Sequence, residues 1–112
     1  MSKKSRRAKA CDIPERVKKE VWERDGGRCI FCDGCYNVMP NAHFISRANG
    51  GLGIPENILT ACTRLTKSDC HYRFDSGPED VRESMREQAR EYLKNIYPNW
   101  DESKLYYKKE AL

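Results

Sequence analysis

The chain has 112 residues, of which 38% are hydrophobic and 34% are charged, and its formal net charge at pH 7 is +4. This length allows one domain with an extension, and so small an apolar fraction gives a thin core that needs a staple such as a metal or disulfides. No apolar run approaches the ~20 residues of a membrane span, and none follows the basic start as in a signal peptide, so we expect a cytoplasmic protein without a membrane partner.

The positive charge is concentrated at the start of the chain. Five of the 21 basic residues lie within residues 1–10, which contain no acid, so the rest of the chain holds 16 basic against 17 acidic residues. We therefore predict a basic, disordered lead-in over residues 1–12. Its candidate phosphate-binding side chains are Lys3, Lys4, Arg6 and Arg7. A nucleic-acid arm and a solvated terminus with no specific partner both fit this composition.

The next signals predict short elements. A helix is expected from about Pro14 to Arg24, with Val17, Val21 and Trp22 on its apolar face and Gly26-Gly27 at its end. Residues 28–39 are typical of a hairpin or knuckle, residues 42–46 of a strand, and residues 58–61 of a short apolar run. Another helix is expected to begin near Asp69.

The last part of the chain predicts a long helix from about Pro78 to Ile96, where apolar residues recur at helical spacing. Opposite charges lie three residues apart along it, so it lacks a basic face and is interpreted as a packing brace. These pairs are Glu79–Arg82, Glu83–Arg86, Glu87–Arg90 and Glu91–Lys94. Asp101 is expected to cap a last short helix through Leu105.

Six cysteines supply the expected staple. Four of them form two groups that can hold tetrahedral zinc in a closed, structural site: Cys29, Cys32, Cys62 and Cys70. Cys35 completes a second C-x2-C and competes for a place in the site, whereas Cys11 is expected to be a free thiol. The alternative is a set of buried free cysteines, which behave as small apolar residues.

Both histidines fall inside this cysteine framework. His43 lies in the predicted strand and can act as a general base. His71 follows Cys70 directly, and Asp75 lies four residues later on the same helix face, so together they can hold Mg²⁺ or Mn²⁺. A surface salt bridge is the alternative role for Asp75.

The order of these residues resembles the HNH nuclease family. The resemblance covers residues 28–75 and rests on the cysteine pairs, on His43, on the Ser46-Arg47 and Gly50-Gly51 loop, on Glu56-Asn57-Ile58 and on Cys70-His71. It implies an α+β fold: a zinc-stapled ββα-metal core, treble-clef-like, with an N-terminal helix and a C-terminal helical extension. Accordingly we expect a lead-in at 1–12, the nuclease domain at 13–77 and the helical extension at 78–112.

The same resemblance implies a DNA endonuclease with one catalytic metal. His43 would be the general base, His71 a metal ligand, and Arg47 a contact to a phosphate; for Arg47 a solvated surface position is the alternative. Asn57 would brace the loop between the strands or help to hold the metal and the base. Products would carry a 5′-phosphate and a 3′-hydroxyl. Small proteins of this family point to bacteriophage DNA processing in a bacterial host, with DNA and phage packaging proteins as partners and a monomer or homodimer as the working form.

The chain departs from the family pattern in two places. Seven residues separate Cys62 from Cys70, where a zinc module of this family commonly has two. Many members carry a metal-binding Asp or His immediately before the base, where this chain has Ala42. Asp75 is the first candidate replacement, with Asn41, Asn57 and waters as further ones. A catalytically inactive, zinc-dependent module that binds nucleic acid or a partner protein is the rival hypothesis, and RNA cleavage or a toxin role is a third.

Overall fold

The computed structural model describes residues 5–63 and 69–108 of the chain. This part forms a small α+β fold in which helices surround one two-stranded antiparallel sheet. The helices and strands are α1 (Arg6–Cys11), α2 (Glu15–Asp25), β1 (Val38–His43), β2 (Ile58–Cys62), α3 (Cys70–Ser76) and α4 (Glu79–Ile96). Short 3₁₀ turns lie at Arg47–Asn49, Pro55–Asn57 and Glu102–Lys104.

Helix α1 corrects the expectation of disorder over residues 1–12. Ser5 caps this helix by accepting a hydrogen bond from the backbone N–H of Ala8, and Cys11 at its end is buried. The prediction is therefore wrong for residues 6–11, while Lys3 and Lys4 lie outside the described residues. One and a half turns of helix are not stable alone in water, so the packing of α1 on the rest of the chain holds it.

The contacts of α1 with the loop after β1 show how it is held. The guanidinium of Arg7 donates to the carbonyl of Ala48 at 2.8 Å, and the N–H of Gly53 donates to the carbonyl of Ala10 at 2.9 Å. A Cβ atom at position 53 would lie 1.9 Å from the carbonyl oxygen of Asp12. Only glycine permits this close approach between the two backbones.

Helix α2 lies close to its predicted bounds and ends at Gly26, which adopts the left-handed conformation with φ of 66°. Val17 and Val21 are fully buried against Ile58 of β2. Trp22 does not join them: it is 42% exposed, so the prediction that it belongs to the apolar face is wrong. It lies one residue beyond Val21, which turns its side chain away from the sheet.

Strand β1 starts and ends earlier than the predicted strand over residues 42–46. It pairs with β2 in an antiparallel register from Val38–Cys62 to His43–Ile58, with an irregularity between Met39 and Ala42. Pro40 lies within that irregularity, where its missing N–H costs no ladder hydrogen bond. Residues 38 and 39 were expected to belong to the hairpin or knuckle, so the predicted strand begins too late.

The carboxylate of Asp25 joins three elements at the back of the sheet. It accepts hydrogen bonds from the guanidinium of Arg24, from the backbone N–H of Thr60 in β2 and from the phenol of Tyr92 in α4. Its side chain is completely buried. A buried carboxylate is stable only when its oxygens are satisfied in this way, so Asp25 fixes α2 and α4 against the sheet.

Helix α4 packs on the core through Met85, Ala89 and Leu93, which are buried, as expected of a brace. Of its four predicted charge pairs, Glu87–Arg90 forms with an N–O distance of 2.6 Å. Arg82 and Arg86 instead donate to backbone carbonyls, those of Gly77 and Phe44. No helix within the described residues is both long and apolar enough to cross a membrane.

Candidate functional site

Four cysteines converge at one end of the sheet. The sulfur atoms of Cys29, Cys32, Cys62 and Cys70 all lie within 4.8 Å of one another, and all six cysteines are free of disulfides. This is the arrangement that a closed tetrahedral zinc site requires. The prediction that these four residues form one group is confirmed, and the cluster could hold a metal ion.

Turns on both sides of the sheet shape this cluster. The N–H of Cys29 donates to the carbonyl of Gly34 at 2.8 Å, which folds the first cysteine pair into a tight knuckle. From the other side, the N–H of Cys70 donates to the sulfur of Cys62 at 3.1 Å. Backbone N–H groups aimed at sulfur favour the thiolate form that a metal needs.

The thiols are poor acids in the absence of a cation. Burial raises the pKa of Cys70, and the neighbouring Cys62 and Cys29 raise it further. Burial likewise raises the pKa of Cys29. Four adjacent thiolates repel one another, so a divalent cation is what makes the ionised cluster stable. Cys35 is exposed and lies outside the cluster, so it is not one of the four candidate metal ligands.

Near the other end of the strand pair, where His43 pairs with Ile58, an open cleft of about 780 Å³ collects the polar residues that the sequence singled out. His43 and Arg47 line it from β1 and the turn that follows, and His71 and Asp75 line it from α3. Lys18 of α2 also faces it. A base, two cations and a possible metal-binding pair therefore meet in one solvent-accessible space.

Helix α1 orients the imidazole of His43. The Nε2 atom of His43 lies 2.9 Å from the backbone carbonyl oxygen of Cys11. A carbonyl oxygen can only accept, so Nε2 carries the proton of this hydrogen bond and the neutral ring keeps its lone pair on Nδ1. The neutral ring is thus fixed in the tautomer whose Nδ1 atom can accept a proton.

The surroundings of His43 keep it neutral. Burial lowers its pKa below the ordinary value of 6.5 and is the largest cause, opposed by the hydrogen bond to Cys11. The charges of Arg47 and His71 lower this pKa further, and the charge of Asp75 raises it. An imidazole that is neutral at pH 7 is available as a general base.

Arg47 is held beside His43 by the same segment. Its guanidinium donates to the carbonyl of Cys11 at 2.9 Å and to the carboxylate of Asp12 at 2.8 Å. The side chain remains about half exposed, at 48%. It therefore combines a fixed position with donors that an anion in the cleft can reach.

Asn57 braces the loop that follows β1. Its Oδ1 accepts from the N–H of Ile45 at 2.7 Å, and its Nδ2 donates to the carbonyls of Ile45 and Leu52 at 3.2 and 2.8 Å. The residue is completely buried, so bracing is the role that its contacts describe. Gly51 belongs to the same arrangement, because a Cβ there would lie 1.6 Å from the carbonyl oxygen of Ile45.

The strand geometry explains the departure at Ala42. Side chains alternate between the two faces of a strand, and Ala42 is fully buried in the hydrophobic core with Phe44. Asn41 and His43 take the opposite face and line the cleft. The Oδ1 atom of Asn41 is buried and has no hydrogen-bond partner among the described residues. A carbonyl-type oxygen without a partner is a suitable ligand for a hard divalent cation.

Helix α3 carries His71 and Asp75 on one face, as predicted. Asp69 caps this helix in a left-handed conformation with φ of 37°, and its side chain accepts from the N–H of Tyr72. Cys70 anchors the first turn in the cysteine cluster, so α3 is fixed at its start. Within residues 5–63 and 69–108, however, the four cysteines are the only group of three or more Cys, His, Asp or Glu whose ligand atoms lie within 4.8 Å.

Sequence reasoning missed the contribution of α1. A contact through a main-chain carbonyl depends on where the backbone passes and leaves no residue signature, so the bond between Cys11 and His43 could not be foreseen. Lys18 was also missed, because a lysine one residue after a buried valine gives no sign that its side chain lines a cleft. Arg7 was expected to bind nucleic acid, and it donates to the loop at Ala48.

Comparison with known proteins gives no match, either with a protein-family model, with a curated protein or with a solved structure. The fold is therefore described by its own features, as a small α+β arrangement with a four-cysteine cluster that could bind zinc.

Proposed function

We propose that this protein is a small metal-dependent DNA endonuclease of the HNH type, in which His43 is the general base. The observation that carries this proposal is the cleft in which His43, Arg47, His71 and Asp75 face the same solvent-accessible space. Hydrolysis of a phosphodiester requires an activated water, neutralisation of phosphate charge and stabilisation of the leaving oxygen. Side chains suited to each task line this cleft.

The hydrogen bond to Cys11 supports the role of His43 as base. With Nε2 occupied, Nδ1 is the atom that accepts the proton of an attacking water. Burial lowers the pKa of His43, so the imidazole is neutral and ready at pH 7. Arg47 lies beside it and can neutralise part of the charge on the phosphate.

A divalent cation would bind between α3, which carries His71 and Asp75, and β1, which carries Asn41. His71, Asp75 and the unpartnered Oδ1 of Asn41 are a nitrogen and oxygen set of the kind that Mg²⁺ or Mn²⁺ accepts, with waters at the remaining positions. When bound, such an ion supplies stabilisation of the charge that develops on the phosphate and the leaving oxygen. A zinc ion in the cysteine cluster would have a structural role, because that site has no open position.

A plasmid assay tests the proposal. Supercoiled DNA is incubated with the wild-type protein and Mg²⁺ or Mn²⁺, beside the His43→Ala variant. We expect the wild type to nick or linearise the plasmid and the variant to lose at least about 100-fold in rate. Cutting by both proteins would mean that another group is the base. A parallel RNA substrate tests whether the enzyme distinguishes the sugar.

The rival function is a zinc-stapled nucleic-acid-binding module without catalysis. It is favoured by the absence, among the described residues of the cleft, of three Cys, His, Asp or Glu side chains close enough to share one ion. Such a module would show DNA affinity that falls steeply with salt and no turnover with any divalent metal. A folded protein that binds zinc and DNA but leaves the plasmid intact would establish this function instead.

A further inference from the structure

A second hollow adjoins the cleft on the far side of α3. It has a volume of about 310 Å³, and it shares His71 and Asp75 with the larger cleft. Tyr72 lines only the smaller of the two. A chain molecule that passes over His71 and Asp75 therefore meets Tyr72 as it leaves the cleft.

The side chain of Tyr72 is unusually open for an aromatic residue. It is 61% exposed, and its ring stacks on no other aromatic ring within the described part of the chain. Its backbone is nevertheless fixed, because its N–H donates to the capping carboxylate of Asp69. The exposed ring thus projects from a fixed point of the short helix α3.

The position of Tyr72 suits contact with a nucleotide held at the cleft. Tyr72 and Asp75 are three residues apart on a helix, which puts their Cβ atoms about 5–6 Å apart. Arg47 and Lys18 add positive charge along the wall of the adjoining cleft. Asp12 and Asp75 line the same cleft, and Asp69 and Asp75 line the hollow of Tyr72, so net charge does not draw DNA to the ring. The contact that Tyr72 can offer is stacking, which proteins use on the bases of single-stranded nucleic acid whatever their sequence.

We infer that Tyr72 is a stacking platform for an unpaired base, and that the substrate is DNA with single-stranded nucleotides next to the scissile phosphate. This inference rests on the proposed endonuclease function. Bases in a duplex are covered on both faces by their neighbours, so a protein ring can stack only on a base that has left the stack. Tyr72 is therefore a positioning residue that selects single-stranded or flapped DNA over intact duplex.

Binding measurements test this inference separately from cleavage. The full chain carrying His43→Ala, which is expected not to cut, is titrated with Mg²⁺ present against a labelled DNA strand of about 12 nucleotides and against the matching duplex. Tyr72→Ala, Tyr72→Phe and Tyr36→Ala are compared in this background. Tyr36 is a matched control, because it is 76% exposed and lies outside both hollows.

We expect Tyr72→Ala to weaken single-strand binding about tenfold and to change duplex binding less than about twofold, and we expect Tyr72→Phe to retain the affinity. Equal losses on both substrates, no loss, or an equal loss in Tyr36→Ala would overturn the inference. If the single-strand effect is present while the wild type cuts no DNA, the stacking site stands and the nuclease proposal fails. If the wild type cuts and the effect is absent, only the stacking site fails.

Discussion

The imidazole of His43 and the backbone carbonyl of Cys11, 32 positions apart in the chain, are joined by a hydrogen bond of 2.9 Å. The carbonyl belongs to a short helix that precedes the sheet, whereas His43 ends the first strand. The side chain that we propose as the general base is thus oriented by the backbone of a segment 32 positions earlier in the chain.

Deletion of residues 1–12 is expected to abolish cleavage while leaving the cysteine cluster intact, because it removes the carbonyl that fixes the tautomer of His43. The loss should be at least about 100-fold, the range typical of a positioned general base. Deletion of residues 1–4 is the control: it removes Lys3 and Lys4 but keeps α1. Cleavage rates and zinc content are measured for both proteins. Equal losses from the two deletions would mean that positive charge, and not the carbonyl, is what matters.

The pH dependence of cleavage should follow the neutral form of His43. Because burial lowers the pKa of this residue, the unprotonated fraction reaches one half at a pH below the ordinary value of 6.5. The midpoint of the acid limb of kcat/KM should therefore lie below pH 6.5. Arg47→Gln removes a positive charge that lowers this pKa and should move the limb to higher pH. A wild-type midpoint above pH 7 would contradict this assignment.

Zinc content and stability should depend on four cysteines and not on a fifth. We expect one zinc ion per chain, and we expect Cys62→Ser to lose it and to unfold at a much lower temperature. The free energy of zinc binding, on the order of 10 kcal/mol in small zinc domains, is also folding free energy. Cys35→Ser should keep both properties, because Cys35 is exposed and outside the cluster. If Cys35 were a ligand, metal analysis and thermal unfolding would show that Cys35→Ser loses zinc and unfolds at a lower temperature.

Asn57→Ala should destabilise the protein by about 3 kcal/mol. The change leaves the N–H of Ile45 and two carbonyls without their buried partner, and each such group costs about 1–3 kcal/mol. Urea unfolding measures the loss. Asn49→Ala is a control on the surface of the same loop, and it should change the unfolding free energy by less than about 0.5 kcal/mol. A stable Asn57→Ala protein with normal loop geometry but no cleavage would assign Asn57 to the chemistry instead.

Tyr92 should ionise late in an alkaline titration. Burial and the adjacent Asp25 carboxylate raise its pKa from 10.0 to about 12. Because the folded state favours the protonated phenol, the associated stability is complete below pH 10 and is lost as the pH rises from 10 toward 12. Absorbance of phenolate at high pH should show a late step that Tyr92→Phe removes. An unchanged titration in that variant would contradict the burial of this hydroxyl against Asp25.

Residue types and spacing predicted much of the site. Two groups of cysteines in a chain with a small hydrophobic core predicted the four-cysteine cluster. Helical periodicity predicted α2 and α4 near their observed bounds. The structure also brings His43, His71 and Asp75 to one cleft. The helices follow from periodicity, which a single sequence records directly, whereas a shared site for His43 and His71 was expected from the resemblance in residue order.

Features that depend on long-range packing escaped the sequence. Composition favoured disorder before residue 12, yet contacts with the loop at Ala48 and Gly53 hold α1 in place. Residues 38–41 were not expected in a strand, yet β1 passes through them with an irregular register. Side chains alternate between the two faces of β1, so Asn41 faces the cleft and Ala42 faces the core. No sequence motif could predict which face each residue takes.

The burial of Asp25 has a consequence for how the chain is made. Its phenol donor, Tyr92, is 67 positions later in the chain, so α2 and both strands are synthesised before this donor exists. Until α4 arrives, the carboxylate lacks one of the partners that make its burial tolerable. The native packing around Asp25 therefore forms only after α4 has been synthesised, and a nascent fragment ending before α4 should be a target for chaperones and proteases.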